Sequence, residues 1–111
     1  DAGTIKRMDA SVLKEYVSSL SITLADDTDD LEPGFNYLAD LGGAEAVNLP
    51  ASPNPGDVVY VKAPSNCSTT NKLTINRQGS HTIDGETSII LESAHAAVSI
   101  VYVAVNTWKI F

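Results

Sequence analysis

PGDVVYVKA (55–63), KLTINRQG (72–79), SHTIDG (80–85), TSIILES (87–93), AAVSIVYVA (96–104) and NTWKIF (106–111) fill the second half of the chain. Each run is short, apolar or alternating, and most are bounded by Gly, Pro, Asn, Asp or Ser. Such spacing predicts a succession of short strands in an antiparallel sandwich or small barrel. Leu73 and Ile75 face one way, with Thr74 and Asn76 the other. Asp84-Gly85 is the dipeptide of a tight hairpin turn, here between His81-Thr82-Ile83 and the TSIIL run. Val98, Ile100 and Tyr102 alternate with Ser99, Val101 and Val103, so this strand is apolar on both faces. It belongs at the centre of a sheet or at a subunit interface. Trp108 and Ile110 close the pattern.

Working back from this half, SITLADDTDDLEPGFNYLADLGGAEAVNLPASPNPGD (21–57) reads as strand, acidic loop, strand, turn, strand and Pro-rich turn. Ile22 and Leu24 alternate, and Phe35, Tyr37 and Ala39 share one face against Asn36, Leu38 and Asp40. Gly42-Gly43 has the backbone freedom of a tight hairpin turn. Pro50, Pro53 and Pro55 cannot donate to a ladder and stiffen the connection. Only residues 5–20, IKRMDASVLKEYVSSL, carry helical spacing, through Ile5, Met8, Val12 or Leu13, Tyr16 and Leu20. Asp9 is placed to cap that helix and Ser18-Ser19 to stop it. About four turns are marginal alone in water, so this arm requires something to pack against.

The division expected is therefore an N-terminal docking or oligomerisation arm, 1–20, and a β-sandwich domain, 21–111. The fold class expected is mainly β, an antiparallel β-sandwich or jelly-roll-like domain with a short N-terminal helical arm. A chain of 111 residues that is 43% hydrophobic and 19% charged suits one small globular domain. Assembly often supplements stability at this size.

The net charge is −7. Residues 1–20 balance three acids with three bases, whereas 21–57 hold eight acids and no Lys or Arg. An acidic middle of this kind opposes binding to phosphate backbones, so no nucleic-acid partner is expected. The single cysteine, Cys67, allows no intrachain disulfide. Folding in a reducing cytosol follows as the expectation. No apolar stretch reaches the roughly 20 residues of a membrane helix, and no membrane partner is expected.

Catalytic chemistry is sparse. Asp26-Asp27-Thr28-Asp29-Asp30-Leu31-Glu32 offers hard oxygen ligands suited to Ca2+, but lacks the spaced acids and central Gly of an EF-hand loop. His81 and His95 have no acid, Cys or His at ligand spacing. Cys67 lies in a polar loop with no basic neighbour to activate it. Asn66-Cys67-Ser68 matches a glycosylation sequon by chance. No Gly-rich phosphate loop or nucleophile elbow is legible. The expectation is a protein without catalytic residues, metal or cofactor. Trp108, Tyr60 and Tyr102 are the aromatics for a sugar-stacking surface, with core packing as the plainer reading. A minimal glycan hydrolase would need two acids brought together across strands.

Phe35-Asn36-Tyr37-Leu38-Ala39-Asp40, then Ala46-Val47-Asn48-Leu49-Pro50-Ala51-Ser52-Pro53, then Gly56-Asp57-Val58-Val59-Tyr60-Val61 follow one another in a distinctive order. The series resembles a module of tailed-phage structural proteins: a short Tyr-x-x-Asp strand, an apolar strand ending in Leu-Pro, and a Gly-Asp opening the next strand. Leu73-Thr74-Ile75-Asn76, Thr82-Ile83-Asp84-Gly85 and the closing Val101-Tyr102 with Trp108 extend the likeness over roughly 20–111. Lys6 to Lys14 resembles N-terminal segments of small virion proteins of marine and cyanobacterial phages.

The resemblance implies a non-enzymatic appendage, commonly trimeric, serving as head decoration, head fibre or tail-fibre module. It supplies no catalytic residue. A complete tail fibre would carry a long shaft, so a small capsid decoration or short fibre or adaptor protein is favoured. The expected partners are sister subunits in a homotrimer and another virion protein, the major capsid protein or a tail protein. Ile5, Met8, Leu13, Tyr16 and Val17 are the candidate docking or oligomer interface. The alternative is a carbohydrate or host-surface binding module of a tail fibre, with Tyr60 and Trp108 as candidate ligand residues. The expected location is the virion, after folding in the host cytoplasm.

Overall fold

The computed structural model describes residues 21–111. The arm expected over 1–20, with Ile5, Met8, Leu13, Tyr16 and Val17, lies outside the described residues. Among the described residues all regular structure is strand. In chain order these are β1 (Ile22–Ala25), β2 (Gly34–Leu38), β3 (Glu45–Asn48), β4 (Val58–Lys62) and β5 (Leu73–Asn76). β6 (Thr82–Ile83), β7 (Ser88–Leu91), β8 (Ala97–Ala104) and β9 (Thr107–Ile110) follow.

The mainly β expectation holds, but the antiparallel sandwich does not. A six-stranded sheet runs β1-β2-β4-β8-β9-β6, and a three-stranded sheet runs β3-β5-β7. The ladders β1–β2, β2–β4, β3–β5 and β6–β9 are parallel. Only β4–β8, β5–β7 and β8–β9 are antiparallel. The winding accounts for this mixture. From β2 in the large sheet the chain crosses to β3 in the small one, returns as β4 beside β2, and crosses again to β5 beside β3. Parallel neighbours need a crossover of a dozen residues or more. Here each crossover carries a strand of the opposite sheet, which is a solenoid-like arrangement. Asp30 adds a further parallel bridge to Asn48, so the first turn of the winding also touches both sides.

Alternation with period two is identical in parallel and antiparallel strands, which is why it predicted strands correctly and their pairing wrongly. The turn signals misled in the same way. Asp84 (φ 48°) and Gly85 (φ 84°) both adopt the left-handed conformations of a two-residue turn. Ile83 and Glu86 exchange backbone hydrogen bonds of 2.9 and 2.8 Å across it. Yet β6 then pairs with β9 and β7 with β5, so this turn is a corner between sheets. Gly42-Gly43 is likewise a corner, with β2 and β3 in different sheets.

The inward positions near the start of the winding run from Gly and Ala to Val and Leu. Thr23, Asn36 and Val61 stand in register, as do Gly34 with Val59 and Ala25 with Leu38. Gly34 has φ +106°, and a Cβ there would stand 2.8 Å from the Ser21 carbonyl oxygen, which accepts the Phe35 N–H at 2.9 Å. Asn36 is the one buried polar side chain of the core among the described residues. Its Nδ2 donates to the carbonyls of Glu32 (2.8 Å), Tyr60 (3.1 Å) and Gly34 (3.3 Å), and its Oδ1 accepts the Glu32 N–H (3.0 Å). Leu31 and Leu49 fill the core from the turns, and larger side chains (Ile83, Ile100, Tyr102 and Trp108) fill it toward β8 and β9.

The expected central strand is confirmed, since β8 lies between β4 and β9. Cys67 is buried, its Sγ 3.2 Å from the Leu91 carbonyl. Asn66 uses its whole carboxamide on Leu41, accepting the N–H at 2.9 Å and donating to the carbonyl at 2.8 Å. The sequon asparagine thus serves as a staple between distant loops.

Candidate binding and assembly surface

The outer face of the large sheet follows from register. Ile22, Phe35, Tyr60 and Ser99 form one row across β1, β2, β4 and β8, and Leu24, Tyr37, Lys62 and Ala97 form the next. β2 turns Gly34, Asn36 and Leu38 inward and both aromatics outward. Phe35 and Tyr60 stack with centroids 4.7 Å apart and planes within 19°. That separation matches the spacing of neighbouring strands. Each ring therefore stands on its own strand and faces the other.

Beyond Tyr60 the row drops to Ser99 and Ala97, which cannot fill the space between β4 and β9. Phe111 closes the far side. Its N–H donates to the Ser99 carbonyl at 3.0 Å, and the Ser99 hydroxyl donates to the Phe111 carbonyl at 2.9 Å. The result is an open groove of about 550 Å³, with Tyr60, Phe35 and Tyr37 on one side and Ile110 and Phe111 on the other. Its cation, Lys62, donates from Nζ to the His95 carbonyl at 2.7 Å. A groove that is mostly apolar with a few polar groups suits a flat apolar or amphipathic group.

The two aromatic residues read from the sequence as ligand candidates separate here. Tyr60 is on the outer face and lines the groove. Trp108 is fully buried on the inner face, 5.1 Å from the Tyr102 ring and 3.4 Å from His81 Nδ1 through its indole N–H. Trp108 is a core residue, not a ligand residue. The strand pattern held this signal, since Thr107 and Lys109 flank Trp108 and claim the opposite parity. Phe35, Tyr37 and Phe111 escaped notice as surface residues. The only sequence hint was that Asn36 shares the other parity with Gly34 and Leu38.

The acidic loop has a structural use. Asp29 Oδ2 accepts the Asp26 N–H, Asp26 Oδ1 that of Asp27, and Asp27 Oδ1 that of Ala46, at 2.8 to 2.9 Å. Asp30 Oδ1 accepts from the side chains of Asn48 and Gln78. Glu45 and Asp57 close their own turns through Gly42 and Asn54. These carboxylates satisfy backbone donors that a winding with short strands would otherwise leave to water. Asp26, Asp40 and Glu45 also line a smaller pocket of about 280 Å³. No family model matches the chain, and no curated protein matches it.

Proposed function

We propose that this chain is a non-enzymatic structural component of a tailed-phage virion. In this reading it is a trimeric capsid decoration or short fibre or adaptor protein, attached through residues 1–20 to a capsid or tail protein. It folds in the host cytoplasm and ends in the virion. The observation that carries the reading is the outer face of the large sheet, where aromatic and aliphatic side chains stand in rows with nothing among the described residues covering them. Contiguous exposed apolar surface of this kind marks an interaction site. The order of motifs over 20–111 supplies the virion part of the proposal.

The mass of the full chain by light scattering after size exclusion tests it. Three chains per particle is the expected result. A monomer at high concentration removes the homotrimer and with it the main support for an appendage.

A second reading, a carbohydrate or host-surface binding module, is favoured by one observation. The Tyr60 ring has the small residues Ser99 and Ala97 beyond it, which leaves space for a pyranose to lie against an aromatic face. Glycan-array binding that is present in the natural chain and lost in Tyr60→Ala is the expected result under this reading. Quenching of Trp108 by sugar is not an informative probe, because the indole is buried on the other side of the sheet.

A further inference from the structure

We infer that copies of this chain meet through the outer face of β1, β2, β4 and β8. The inference rests on the reading above that the chain assembles with itself, and it assigns the interface to the β domain.

Charge is the first argument. Residues 21–111 contain eleven acids and four bases. None of the eleven acids falls in any of the six strands of the large sheet, whose only charges are Lys62 and Lys109. The acids occupy the turns around this sheet and the start of β3 in the small one. Two copies of so acidic a domain repel wherever carboxylates meet, and like charges facing one another across an interface cost several kcal/mol. The strands of this sheet, like β5 and β7 of the small one, let copies come together without opposing carboxylates.

Area is the second. Ile22 and Phe111 are 74% and 78% exposed, and Leu24, Phe35, Tyr37 and Tyr60 are between 38% and 56% exposed. Together these six present on the order of 600 Å² of side chain, at the upper end of the largest apolar patch usual on a monomer and most of what one partner contributes to a standard interface. The aromatic pair supplies the third argument. Phe35 and Tyr60 are already stacked on adjacent strands, so they lose little rotamer freedom on contact. Tyr is also among the residues that most often dominate interface energetics.

Light scattering across a concentration series, on the full chain and on Tyr37→Glu and Ile90→Glu, tests the assignment. Ile90 is an exposed apolar residue on β7 of the small sheet and serves as the control. Far-UV circular dichroism reports folding, and Leu24→Glu on the same outer face replaces Tyr37→Glu if the latter is unfolded. The expected result is that the outer-face variant shifts the association midpoint at least tenfold toward monomer, while Ile90→Glu leaves it unchanged. An oligomer that persists in the outer-face variants, or one that Ile90→Glu disrupts equally, overturns this interface and leaves the assembly reading standing. A monomeric natural chain overturns both. Retained mass in Tyr37→Glu with lost glycan-array binding assigns the groove to sugar and overturns the inference.

Discussion

Trp108→Ala is expected to destabilise the β domain by about 4 kcal/mol, within the range measured for removing a large buried aromatic. Trp108 is the largest of the fully buried side chains. It joins three things: β9 as it pairs with β8, the parallel pairing of β9 with β6, and the ring cluster of Tyr102 and His81. Tyr102 and Trp108 are partners in the β8–β9 register and their rings meet at 60°, a tilted arrangement that suits their quadrupoles. Truncation leaves a cavity between strands held in place by the β8–β9 and β6–β9 ladders, so relaxation recovers little. A domain of this size has about 5–15 kcal/mol of stability in total, and the loss is a large part of it. The check is urea unfolding followed by far-UV circular dichroism, since the variant lacks its fluorophore. Trp108→Phe keeps a ring against Tyr102 but loses the indole N–H bond to His81, and is expected to lie between the two. A cost below about 1 kcal/mol for Trp108→Ala would contradict its place in the core.

The contrast between Trp108 and Tyr60 shows what one sequence contains. Strand positions were legible because side-chain alternation is local. Leu73 and Ile75 point inward as their parity requires, and the long apolar run of β8 lies at the centre of its sheet. Pairing was not legible, because nothing local distinguishes a parallel neighbour from an antiparallel one. Asp84-Gly85 adopts the turn its residues favour, yet the strands on either side part at once to different sheets. The candidate surface was half legible. Lys62 shares parity with Tyr60 and pointed outward, whereas Val59 and Val61 on the other parity gave no contrast in polarity. Phe35 and Tyr37 were the hardest, because an ordinary sheet would turn two aromatics inward and a Gly-x-Asn pair outward. Here Gly34 has no room for a Cβ beside the Ser21 carbonyl, and Asn36 is held inward by its hydrogen bonds. A buried asparagine takes the place that an apolar side chain would hold in a sandwich.

Asn36 is therefore the residue on which the inside-out arrangement of β2 depends. Asn36→Leu is expected to cost about 3 kcal/mol, since each buried polar group deprived of its partner costs about 1–3 kcal/mol. Leu has as many side-chain heavy atoms but is bulkier, so no cavity is left, and the loss reports the broken hydrogen bonds together with crowding. Four contacts disappear together: one N–H···O bond from Glu32 to Oδ1, and the donations from Nδ2 to the Glu32, Gly34 and Tyr60 carbonyls. Asn36→Asp keeps the shape and inverts the chemistry. Its ionised carboxylate has no proton to donate and faces three carbonyl oxygens, so burial and these dipoles push the introduced carboxyl's pKa upward in the folded state. A folded-state pKa above the unfolded one means that the variant is most stable below the unfolded value and loses stability as pH rises through the folded value. The expected result is that urea midpoints of Asn36→Asp approach those of the natural chain in acid and fall away toward neutral pH, while Asn36→Leu shows a constant deficit. Equal deficits for both variants at all pH values would mean that Asn36 fills space in the core and does not hold Phe35 and Tyr37 outward by its hydrogen bonds.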